Sequence, residues 1–261
     1  MRRRPSVRAT PASVRAALLA GLLAALCGTG HAACETGLAE RMSEKLHPRR
    51  TLDHERAVCE PWRGTPGRYV VVLPLPRPAS TQLDLDVLVV QQADNGNTEH
   101  ARVVSRLFEE AALDEDALRI TEIRLDPARY LLAPDARAFG LRIVRQGASR
   151  STPFSDESLS LYLPQGARIA KVLDRLEVSS ERGETTDDCA ADFQAVRGSL
   201  SPVRTTSNGY ADLMLRQALT DTRSIRQGDD CVTQEAPGSY GSKLLRYDGR
   251  EYRVTKGAAT D

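Results

Sequence analysis

Cys34, His47, His54 and Cys59 are all zinc-ligand types and fall within 26 residues of one another. Their spacing is C-x12-H-x6-H-x4-C, whereas structural zinc sites draw pairs of ligands from short, closely spaced knuckles. The stretch "DHERAV" opens like a zinc-protease helix, but Ala57 and Val58 stand where the second histidine is needed. A disulfide is the better use of Cys34 and Cys59, and no metal or cofactor is expected. Other chemistry is equally short of parts. Past residue 33 the histidines are His47, His54 and His100, and a serine or cysteine nucleophile needs such a base held by a third group. "GASRS" puts Ser151 where the G-x-S-x-G elbow needs glycine, and "PGSYGS" fails in the same way. "DNGN" lacks the acids of a calcium loop.

Two sets of residues keep a functional reading. Glu181, Glu184, Asp187 and Asp188 are carboxylates of the type a glycosidase uses in pairs about 5 to 10 Å apart. Solvated loop acids are the simpler account of them. Tyr210, Tyr240, Tyr247 and Tyr252, with Arg246 and Arg250, have the composition of an interface hot spot. Tyrosines covering a half-buried sheet face are the alternative. The single tryptophan, Trp62, lies close to Cys59 and is expected to cover a disulfide.

The start of the chain sets the compartment. Arg2, Arg3, Arg4, Arg8 and Arg15 precede or enter an apolar run, Ala16 to Cys27, with no acid among them. Small residues at Gly30-His31-Ala32 complete an export signal cut near residue 33. Twelve residues rise about 18 Å as a helix, short of a bilayer core of roughly 30 Å. Lipidation at Cys34 is disfavoured by His31, so a periplasmic or secreted protein without a transmembrane segment is expected. Removing the signal's five arginines from 36 basic residues leaves 31 against 35 acids. That balance, with the arginines spread among acids, gives no sign of the basic face on which nucleic-acid binding leans, and no nucleic-acid partner is expected.

In an exported chain the four remaining cysteines, Cys34, Cys59, Cys189 and Cys231, read as two disulfides. Three pairings are possible. Proximity favours Cys34–Cys59 and Cys189–Cys231, each contributing roughly 3.5 to 4 kcal/mol by loop closure.

The elements that carry these residues are mostly strands. "TGLAERMSEKLH" reads as one helix, with Thr36 as cap and Leu38, Met42 and Leu46 on one face, ended by Pro48. From Arg68 the period becomes two. "RYVVVLPLP", "QLDLDVLVVQ", "ARVVSRLF", "LRITEIRL", "RAFGLRIV", "SLSLYLP", "RIAKVLDRLEV", "ADFQAV", "YADLMLRQ" and "DTRSIRQ" are strand candidates. Asn95-Gly96 predicts a tight hairpin with Val90 opposite Ala101 and Leu88 opposite Val103. "LFEEAALDEDALR" has room for one helical turn. Asp248-Gly249 predicts a second tight hairpin, with Tyr247 opposite Arg250, Arg246 opposite Glu251 and Leu245 opposite Tyr252. The fold class is therefore mainly β, an antiparallel sandwich or meander of blade-like sheets with one short N-terminal helix. The segments are residues 1–33 as signal, 34–66 as helix and disulfide segment, and 67–261 as β-rich domain.

"SNGYADLMLRQ" followed by "LLRYDGREYRV" resembles a G-Y-x-D-L strand and terminal Y-D-G-x-x-Y hairpin of secreted bacterial β-rich proteins with no assigned activity. It is loosely similar to FG-GAP and VCBS-type blades. The similarity extends over about residues 139 to 254 and implies a secreted β-rich fold, without the calcium loop of those blades. Taken together, an exported non-catalytic binding protein of the bacterial envelope is expected, of inhibitor, immunity-like or envelope-component-binding type. Its partner would be another protein or an envelope component. A hydrolase on loop carboxylates and a structural envelope protein are the alternatives.

Overall fold

The computed structural model describes residues 37–92, 98–186 and 189–255. The expected export signal, Cys34, the expected Thr36 cap, Asn95-Gly96, Asp187 and Asp188 lie outside them. The chain is mainly β, with one short helix and 14 strands among the described residues.

Helix α1 (Leu38–Leu46) starts at Gly37, in the left-handed region with φ 64° and no side-chain cap bond. It ends as the His47 amide donates to the Ser43 carbonyl, just before Pro48. Leu38 and Met42, four apart, are buried on one face. They pack on an antiparallel meander of β1 (Val58–Pro61), β2 (Arg68–Pro76), β3 (Gln82–Gln91) and β4 (Arg102–Asp114). On β2, Val71, Leu73 and Leu75 face the helix, while Val70 and Val72 face the opposite side. Burial on both faces is why this strand reads as a continuous apolar run.

A second layer consists of β5 (Arg119–Leu125), β6 (Tyr130–Ala133), β7 (Ala136–Gln146) and β8 (Phe154–Gln165). One core lies between it and the meander, around Val72, Val87, Leu141 and Ile143. The third layer is formed by β10 (Ala191–Ser207), β11 (Tyr210–Gln227), β13 (Ser239–Tyr247) and β14 (Tyr252–Val254), with β12 (Asp230–Glu235) on the far end of β11. A second core, around Leu159, Leu161, Leu213 and Leu245, joins it to the second layer.

Strand β9 (Arg168–Thr185) links all three. It pairs along β8, meets β4 in parallel at Arg106 and Arg168, and pairs with β10 over Ser180–Thr185 and Ala191–Val196. Beyond Ser180 and Val196 the two strands separate, and the second core fills the gap. The sheet therefore forks. A Cβ built on Gly198 would lie 2.1 Å from the Val178 carbonyl oxygen, so only glycine allows this crossing. Gly198→Ala is expected to cost about 2 kcal/mol, as backbone must yield, and to lower the urea midpoint in equilibrium unfolding. Gly209→Ala, with open space around it but φ 86°, separates steric overlap from backbone strain.

Several expected details are corrected. Val90 pairs with Val103, and Leu88 with Arg106, so the β3–β4 connection is longer than a two-residue turn allows. "LFEEAALDEDALR" holds no helical turn; β4 continues to Asp114 with a bulge at Ala111, whose φ is 47°. "DTRSIRQ" is the distal end of the 18-residue β11. The C-terminal hairpin pairs Tyr247 with Tyr252 and Leu245 with Val254. Asp248 to Glu251 form a four-residue loop in which the Asp248 carboxylate accepts from the Arg250 and Glu251 amides. Arg246 therefore faces Arg253, and Glu251 bonds Arg253 at 2.7 Å.

Candidate functional site

The two histidines near Cys59 are used structurally. His47 Nε2 is 2.7 Å from the Asp86 carboxylate, and His54 Nδ1 is 3.3 Å from Glu40. Cys59 is disulfide-bonded, and the Cys34 half of the expected pair lies outside the described residues. Trp62 packs edge-on against Phe139 at 6.0 Å and under Arg137 at 5.9 Å, so it closes the first core.

Beneath α1 the polar positions of β3 hold a charge network. Asp86 is fully buried and is bonded by His47 and by Arg106 at 2.8 Å. Asp84 accepts from the Ala111 amide at 2.7 Å and from Arg50 at 3.0 Å, with Arg77 at 3.2 Å. Burial opposes ionisation of Asp84, but the Ala111 amide and the two guanidiniums outweigh it and hold the carboxyl below its ordinary value. A depressed carboxyl contributes stability above its unfolded-state value and loses it as pH falls through the folded one. The thermal midpoint is therefore expected to decline in acid below about pH 4, and Asp84→Asn to make that decline shallower. A second polar set fastens β4 to the middle layer. The Tyr162 hydroxyl donates to Glu109 at 2.9 Å, and Lys171 bonds the other Glu109 oxygen at 2.5 Å. Each network is closed on itself, and none leaves a base beside a nucleophile.

The C-terminal tyrosines form a stack, Tyr210 against Tyr247 at 4.7 Å and Tyr247 against Tyr252 at 5.3 Å. Tyr252 is buried and its hydroxyl donates to the Ala211 carbonyl at 2.7 Å. Burial, then the nearby Asp212 charge, pushes that hydroxyl well above its ordinary value. Tyr210 and Tyr247 pack partly against the second core, whereas Arg246 and Arg250 are exposed. Tyr240 stands apart on β13, 86% exposed.

The surface with most to offer lies past the fork. There β9, β10, β11, β12 and the start of β13 continue as a single layer, here called the tongue. Among the described residues of 181–199 and 216–244, only Cys189 is buried. The Cys189–Cys231 disulfide, with a Cα separation of 5.5 Å, ties the start of β10 to β12. At this end lies a groove of about 680 Å³. Cross-strand register builds its walls: Glu184, Asp192, Arg223 and Gln234 form one row, and Arg182, Gln194 and Asp221 another. The rung between them, Gly183, Phe193, Thr222 and Glu235, lends its backbone to the groove and turns its side chains to the opposite face of the sheet. A Cβ on Gly183 would lie 2.4 Å from the Phe193 ring, so glycine lets that ring lie flat over the strand. Asp192 is 3.4 Å from Arg223, and the Gln194 amide donates to Asp221 at 3.0 Å.

Of the carboxylates flagged by composition, Glu184 lines this groove, while Glu181 pairs with Arg197 at 2.8 Å. Phe193, Arg182, Gln194, Asp221 and Gln234 were not singled out from the sequence. They come together only through four-strand register, although a lone phenylalanine among polar strand residues was a readable signal. Among the described residues no group of histidine, cysteine and acid side chains is arranged to hold a metal ion, and no helix is long and apolar enough to cross a membrane. Comparison with protein-family models, with curated proteins and with solved structures finds no match.

Proposed function

We propose that the protein is an exported, non-catalytic binding module of the cell envelope, with the tongue as its recognition surface. The observation that carries this is the burial pattern: the tongue is a sheet with both faces open to water, and among its described residues only Cys189 is buried. Hydrophobic burial does not account for its length, and a disulfide holds its end in shape. Disulfides persist in oxidising compartments, which supports the periplasm or cell surface. The hydrolase reading has Glu184 opposite Asp192 in its favour. Against it, the Asp192 side chain is 69% exposed and next to Arg223, so nothing desolvates a proton donor there.

The test is photo-crosslinking in intact producing cells, from a probe placed at Gln217 or Gln234 on the tongue and at Thr121 on β5. One discrete adduct from the tongue positions and none from Thr121 is the expected result. A ladder of adducts would indicate a structural protein, and equal labelling from Thr121 would remove the tongue from consideration.

A further inference from the structure

Beyond the reading of the tongue as a recognition surface, we propose that β12 pairs edge to edge with β12 of a second copy of this chain, carrying the tongue's sheet across a two-fold axis. The backbone fixes where such pairing can occur. The Ala236 amide donates to the Asp221 carbonyl on β11. Residues of an antiparallel strand turn their N–H and C=O to alternate sides. Gln234, Val232 and Asp230 therefore bond β11, and Glu235, Thr233 and Cys231 turn theirs outward. Among the described residues β12 pairs with β11 alone, which leaves the outward row for another strand. Donors and acceptors alternating at this spacing are matched by an extended polypeptide backbone.

The side chains select a second copy as that backbone. Two-fold pairing sets outward residues against outward residues, which allows an axis at Cys231, Thr233 or Glu235. At Glu235 two glutamates would face each other, and Pro237 would enter the ladder without an amide. At Cys231 the register would run off the strand into the Gly228-Asp229 turn. At Thr233 the whole strand is used. Thr233 meets Thr233, Cys231 meets Glu235, Val232 meets Gln234, and Asp230 stands opposite Ala236, so no acid faces an acid. β12 also holds no lysine, arginine or proline, the residues that guard other edges: Pro61 on β1, Arg119 and Arg124 on β5, Arg253 on β14. The Cys189–Cys231 disulfide ties the strand to β10, so the edge is held in shape before a partner arrives. Because each β12 begins at a turn, β13 of the second copy passes the end of that hairpin and meets no strand. On the groove side, the row that ends at Gln234 continues into Val232 of the second copy.

The test is sedimentation equilibrium of the full, disulfide-intact protein over a dilution series. The 6-residue edge buries less than a standard interface of about 1,600 Å², so a monomer–dimer equilibrium in the high-micromolar range is expected. Thr233→Pro removes an outward amide without touching the β11 ladder, and Thr233→Lys sets two ammonium groups on the axis. Each is expected to weaken the dimer about tenfold or more, and the second covers the case in which proline disturbs the strand. Ser242→Lys, on the outer edge of β13, is expected to leave the dimer as it is. A chain that stays monomeric throughout, a dimer indifferent to both Thr233 substitutions, or a dimer lost only in Ser242→Lys would each overturn the proposal. The crosslinking experiment separates this inference from the recognition reading. A Gln234 adduct with the mass of two chains supports self-pairing. A monomeric chain whose Gln234 adduct is with a different protein overturns self-pairing and leaves the recognition reading standing.

Discussion

Replacing Cys189 and Cys231 together with serine is expected to release the tongue while the layered cores stay folded. The bond spans 42 residues of chain, and closing a loop of that length stabilises by about 4 kcal/mol in the chain-entropy account. Elsewhere in the protein such a loss would be shared with apolar packing. Here it is not, because Cys189 is the tongue's one buried residue among those described. Hydrogen exchange resolves the result by residue. The amides of Phe193, Leu219 and Val232 should lose protection, whereas those of Val72 and Leu141, both inaccessible in the first core, should keep it. Unchanged protection in the tongue would mean that its backbone ladders suffice. A fall in every amide would mean that tongue and cores unfold together. The double substitution is preferable to a reductant, which would also reach the disulfide at Cys59.

Asp86→Ala is expected to lower unfolding free energy by about 3 kcal/mol, the lower end of what breaking a buried ion pair costs. Asp86 has no solvent exposure, and both its partners come from other elements: His47 follows α1 and Arg106 lies on β4. Without the carboxylate, His47 stays nearly buried, with Phe108 5.5 Å away. Arg106 is 37% exposed and can turn to water, which is why the upper end of the range is not expected. The urea midpoint should fall with an unchanged slope. Glu181→Ala is the matched control. It removes an ion pair from a surface where both partners are about half exposed, and it should change stability by less than about 1 kcal/mol.

The strands themselves were legible because their residues obey local rules. The run at 68–76 and the alternation at 82–91 both name β2 and β3, and Leu38 and Met42 name the buried face of α1. The Cys189–Cys231 pairing also followed from proximity along the chain. Register was less legible, because a turn sequence does not state its own loop length. Asp248-Gly249 signalled a two-residue turn, yet the Asp248 carboxylate caps two amides and widens it to four residues. Asp84 and Asp86 alternate with leucine and valine as water-facing residues would. Their burial depends on arginines and a histidine brought from up to 39 positions away. β6 and β12 lay below the threshold of pattern reading, being short and weakly alternating. Glu184 could be picked out by residue type, but its assembly with the other groove residues was not readable without the rungs that align four strands.

The tongue's exposure on both faces also bears on how the proposed binding surface can change over generations. Substitutions at solvent-facing positions away from caps and networks shift stability by about 0.5 kcal/mol or less, and backbone ladders are indifferent to most side chains that point away from them. The residues along the groove walls can therefore be exchanged in number without threatening the scaffold that presents them. Variation confined to this surface, on an otherwise constrained fold, is how one architecture would come to recognise many targets.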